Sequence, residues 1–87
     1  MKALPASPNL EANRDRYGGG DECCIVCGKP APTTQAVVHV WWGSHLVTET
    51  EAATLDPSGD TGFYPIGADC ARRYLSAEDS QAYVQYR

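Results

Sequence analysis

No apolar run in these 87 residues approaches the roughly 18 that a membrane-spanning helix requires. The longest, AVVHVWW, is interrupted by His39. The opening, MKALPASPNLEANRDRYGGG, has no apolar core and no cleavage site of the secretory kind, so a reducing cytoplasm is the expected compartment. Positive charge is scarce as well. Seven Lys and Arg against eleven Asp and Glu leave a formal charge of -4, the sign opposite to that of most nucleic-acid binders. The one adjacent basic pair, Arg72 and Arg73, could join Lys29 and Arg87 in a local patch, but no broad basic footprint exists. Catalytic patterns are missing too: there is no H-E-x-x-H and no H-x-E with P-C-x-x-C, so an enzyme is not expected.

Cysteine, by contrast, is present four times, and three of the four fall within CCIVCGKP, Cys23 to Pro30. Residues 1 to 22 are polar and rich in glycine and proline, which predicts a disordered tail followed by a single domain over 23–87. A domain of roughly 60 to 65 residues sits near the limit at which apolar burial alone offsets chain entropy, so a metal, disulfides or a partner chain should help. In a reducing compartment the metal is the expected solution.

The chain after the cysteines alternates in type. Beta-branched and aromatic residues over 35–42 predict a strand, Gly43 and Ser44 a tight turn, and residues 45–50 a second strand. Within the first, Val37, His39 and Trp41 share one face and Val38, Val40 and Trp42 the other. Asp56-Pro57-Ser58-Gly59 marks a turn in the loop that follows. FYPIG reads as a short extended segment that lies at an edge or ends at Pro65, which cannot donate to a ladder. ADCARRYL then turns helical, with Asp69 as N-cap, and Ser76 with Asp79 three residues on predicts a fresh start for a terminal helix.

Zinc takes four ligands in a tetrahedron, two of them commonly from a C-x-x-C turn. Cys24 and Cys27 supply that turn, with Gly28 providing the positive φ that folds it back. Cys70, in the first turn of the predicted helix, is the third ligand, where the positive end of the helix favours a thiolate. For the fourth, His39 is preferred over His45, because an unpaired imidazole among apolar strand residues would be costly. Cys23 points away from its neighbour in an extended segment and is the spare thiol.

CIVCGKP, a beta-rich stretch containing histidine, and YPIGADCARRYL together resemble the small zinc-knuckle proteins of actinobacterial phages, prophages and their hosts. The resemblance spans residues 23 to 75, carries Cys24, Cys27 and Cys70 over as ligands with His39 as the histidine, and implies work in the cytoplasm of a bacterial host. The order of knuckle, hairpin and helix is similar to a treble-clef finger, although Arg73 stands where that pattern has a cysteine three residues after Cys70.

The expected fold is therefore α+β: a zinc knuckle, a short antiparallel β-sheet and a C-terminal helix, treble-clef-like, around one structural zinc. The expected function is a non-catalytic module that binds another protein, with Trp41, Trp42, Arg72 and Arg73 as candidate interaction residues. A nucleic-acid-binding zinc finger is the alternative, and an iron-sulfur redox protein using all four cysteines is a minor one.

Overall fold

Four residues with small or branched apolar side chains, one histidine and one tryptophan build the central strand. In a computed structural model, which describes residues 1–19, 22–31 and 36–86, β2 spans Ala36–Trp41 and is buried along its whole length. It follows β1 (Lys2–Ala3) and helix α1 (Leu10–Tyr17), and precedes β3 (His45–Val47), helix α2 (Glu49–Ala52), a 3-10 turn at Pro57–Gly59 and β4 (Asp60–Pro65). Helices α3 (Ala68–Tyr74) and α4 (Ala77–Tyr83) and strand β5 (Val84–Tyr86) complete the chain. The expected start of the central strand at Gln35 lies outside the described residues, as does Arg87.

All pairings are antiparallel. One edge of β2 carries β4. The other is shared end to end, with β3 opposite His39 to Trp41 and β5 opposite Ala36 to Val38. β1 extends the sheet beyond β3. A bulge interrupts β4, so that Asp60 stands opposite Trp41 and Gly62 opposite Val40, and the Thr61 hydroxyl between them donates to the Val40 carbonyl at 2.8 Å.

Alternation along β2 separates two environments. Val38 and Val40 join the core cluster with Cys24, Val26, Leu46, Ile66, Cys70 and Ala71. Val37, His39 and Trp41 are equally buried but belong to the opposite face, which α2 and the loop after it cover. There Gly59 is indispensable as a glycine, since a Cβ on it would lie within 3.0 Å of both indole nitrogens of Trp41 and Trp42.

Several sequence expectations change. The segment 1 to 22, expected to be a disordered tail, contributes β1, the partly buried Leu4 and α1 over its described residues. α1 buries no residue and is held instead by polar contacts, the Asn13 amide donating to the Cys27 carbonyl at 2.7 Å and Ser7 N–H to the Val26 carbonyl at 2.9 Å. Its stop signal is Gly18, in the left-handed conformation that closes a helix. The second strand ends at Val47, because Thr48 caps α2: its side chain accepts from Glu51 N–H while the Glu51 carboxylate returns to Thr48 N–H, a complete capping box. The cap of α3 is Gly67 rather than Asp69, which sits in the first turn and pairs with Arg72. Ser76 caps α4 as expected, accepting from Asp79 N–H at 3.0 Å, but the helix gives way at Val84 to a strand that completes the sheet edge. No helix among the described residues is long and apolar enough to cross a membrane.

Candidate metal centre

The knuckle is folded by its own backbone. Cys24 N–H donates to the Lys29 carbonyl at 2.7 Å and Gly28 N–H to the Cys24 carbonyl at 2.8 Å, with Cys23 bridged to Pro30 at the base. Gly28 adopts φ +80°, and a Cβ there would press on Asn13 and the α1 backbone at 3.1 to 3.2 Å, so its missing side chain lets both the turn form and α1 approach.

Two hydrogen bonds then fasten the knuckle to the segment that carries the third cysteine. Ile25 N–H donates to the carbonyl of Pro65, the last residue of β4, at 2.9 Å. Gly67 N–H, at the cap of α3, donates to Cys24 Sγ at 3.2 Å. Cys70 follows in the first turn of α3. The result is that the Sγ atoms of Cys24, Cys27 and Cys70 all lie within 4.8 Å of one another, and no other His, Cys, Asp or Glu among the described residues joins them. All four cysteines are free thiols.

The local field treats the three sulfurs unequally. Burial would raise the Cys24 thiol, but backbone N–H groups of Gly67, Cys27 and Val26 outweigh it and hold the group below the ordinary thiol range. Cys70 is pushed the other way, first by burial and then by hydrogen bonding and charge from Cys27 and Cys24. Such competition among crowded thiols is the situation a divalent cation resolves, since its charge favours every thiolate at once. The donor set of three sulfurs fits a soft or borderline metal.

His39, the preferred fourth ligand, is not in this cluster. It occupies the other face of β2, where Nε2 hydrogen-bonds with Asp60 Oδ1 at 2.8 Å, Nδ1 lies 3.1 Å from Glu49 Oε1, and its ring stacks on Phe63 at 4.2 Å. The reason is the period of a strand: with Val38 and Val40 packed in the core beside Cys24 and Cys70, His39 must point away from them. Burial of an imidazole did demand partners, and two carboxylates supply them. The hydrogen bond from His39, followed by that from Gly62 N–H, holds the Asp60 carboxyl below its usual range. His45 is remote as well, at the far end of the hairpin with its Nδ1 against the Ser44 hydroxyl at 2.8 Å. Cys23 also stays outside the cluster, so the four-cysteine arrangement that an iron-sulfur reading needs is not assembled.

Of the candidate interaction residues, Trp41 is 2% exposed and belongs to the interior, its Nε1 without a hydrogen-bond partner among the described residues. Trp42 is 52% exposed. The alternation expected for it fails because it leaves the strand at φ +56°, entering a turn with Gly43 at φ +68°. Arg72 is engaged with Asp69, at 2.5 Å, while Arg73 lines the pocket in front of the cysteines. The residues that sequence reasoning missed are Glu49 and Asp60 as histidine partners and Asn13 as the clamp on the knuckle. A buried histidine in a small acidic chain was the available signal for the first two.

No protein-family model, curated protein or solved structure matches this chain.

Proposed function

We propose that this chain is a small module stabilised by one structural zinc ion, without catalysis of its own, that works by binding another protein. The observation that carries the reading is the convergence of Cys24, Cys27 and Cys70 from two distant segments, each fastened by backbone hydrogen bonds before any metal is considered. Three sulfurs favour zinc over the harder cations that prefer oxygen, and zinc has no redox chemistry to require a further group. The interaction surface is Trp42, a large side chain left half exposed on a turn whose left-handed backbone glycine or asparagine would adopt at less cost. On its resemblance to phage and prophage zinc-knuckle proteins, we place that work in the cytoplasm of a bacterial host, as a modulator of host machinery.

The nucleic-acid alternative gains nothing from Arg72, whose charge is already matched by Asp69. The test of the proposal is native mass spectrometry with elemental analysis on gently purified protein. One zinc per chain is the expected result. Iron, or no metal with two thiols lost to a disulfide, overturns it. For the interaction, Trp42→Ala should fold normally and lose a partner that the parent chain retains in pull-downs from host extract; retention of every partner counts against it.

A further inference from the structure

Cys24, Cys27 and Cys70 supply three ligand atoms, and a tetrahedral zinc site takes four. Cys24 and Cys70 are buried and Cys27 is partly buried, yet all three line one open pocket of about 360 Å³, so the cluster lies at the boundary between the core and accessible space. Structural zinc sites are normally closed by a fourth protein ligand. Here no fourth donor is found among the described residues.

The charges around the pocket have a direction. Lys29 and Arg73 line it, and neither takes part in an ion pair among the described residues. Asp69 lines it too, but its carboxylate is matched by Arg72. A divalent ion with three thiolates carries one net negative charge, and Lys29 and Arg73 turn the sum at the pocket to one positive. One monovalent anion brings it to neutrality. Neutral hydrogen-bonding groups, Ser7, Asn9, Asn13 and Tyr74, also line it.

We infer that the metal's fourth position is open to the pocket and takes an anionic donor from outside the chain, held there by Lys29 and Arg73. This rests on the metal reading proposed above. The donor is a thiolate, carboxylate or similar anion, and it can arrive as a free small anion or as a side chain of a second copy. Either source presents the same chemistry to the ion.

Cobalt(II) substitution tests the inference separately from the metal reading, because the visible bands of a cobalt-thiolate site report the ligand set directly. Azide is the probe. The expected result is a saturable, one-to-one shift of the d–d bands on addition of azide to the cobalt-loaded protein. In Arg73→Ala and Lys29→Ala, which keep all three thiolates, half-saturation should need about two- to fivefold more azide, the range of one partly screened charge pair. Sedimentation of the same samples identifies the natural source: a monomer throughout indicates a free anion, and a dimer that azide dissociates indicates a side chain of a second copy. Bands that azide leaves unchanged would show the fourth position filled from within the chain and overturn the inference, while the metal reading stands. Absence of any cobalt-thiolate bands would instead overturn the metal reading and the inference with it.

Discussion

Val38 and Val40 look toward the cysteines, whereas Val37, His39 and Trp41, one residue out of phase on the same strand, look toward α2 and the loop that follows it. Both faces are buried and both contain groups that can bind metals, yet they are organised by different chemistry. On the first, three thiols converge from separate segments and compete for charge. On the second, a single imidazole meets two partly exposed carboxylates, one delivered by α2 and one by the start of β4. The first arrangement is one that a bound cation would relieve; the second is satisfied within the protein. Donor type is thus a weaker guide to a metal site than the face on which the donor stands.

The sharpest way to test that division is to remove one donor from each face. Cys70→Ser should abolish the folded state at 25 °C, read as loss of far-UV structure and of bound zinc. Metal binding in small zinc domains is worth about 10 to 16 kcal/mol in apparent terms, comparable with the whole stability of an ordinary domain at about 5 to 15. Cys23→Ser, outside the cluster, should change neither signal. If Cys70→Ser and Cys23→Ser fold equally well, the cysteine face is not the metal site.

On the opposite face the effects should be smaller and leave zinc in place. Gly59→Ala drives a methyl group into the Trp41 and Trp42 indoles, and an overpacking cost of about 2 to 3 kcal/mol is expected from denaturant titration, with one zinc per chain retained. His39→Gln removes one of two carboxylate contacts and leaves one amide donor, for a loss of about 1 kcal/mol. Its metal content is the decisive reading. Loss of zinc in this variant would erase the distinction between the faces and restore His39 as a ligand.

How far the sequence could be read follows from the same division. Local signals were legible: the C-x-x-C-G turn, the hairpin break at Gly43, the Asp56-Pro57 turn and the Ser76 cap all depend on residues close in the chain. The convergence of Cys70 on the knuckle was legible because three thiols in a small chain have few other uses. What could not be read depended on pairing across the fold. α1 has no apolar face, so nothing in its periodicity announces a helix docked by Asn13. Tyr83 and Val84 continue a helical pattern, and only the vacant edge of β2 beyond β3 turns Val84 to Tyr86 into a strand. His39 stands outside the cysteine cluster for a more instructive reason. The argument that a buried histidine must have a partner was sound, but it did not specify which side of the sheet the partner lies on, and the alternation of Val38, His39 and Val40 already contained that answer.

Trp42 offers the finest test, because it stands where the two faces end. Continued alternation would turn it toward the cysteine side, and its positive φ turns it away so that the indole meets Gly59 instead. A bulky residue in the left-handed region costs about 1 to 2 kcal/mol, which asparagine largely avoids. Against that gain, Trp42→Asn forfeits the indole packing on Gly59 and the edge contact with His45, whose ring centroids lie 6.0 Å apart. The two contributions should nearly cancel, leaving stability within about 0.5 kcal/mol of the parent and zinc content unaltered. A substantial stabilisation would show that the indole contributes little to the fold and is kept for another purpose, consistent with an interface. A substantial loss would show that Trp42 is an outlying part of the histidine-face packing, and would remove the main support for an interaction surface at this turn.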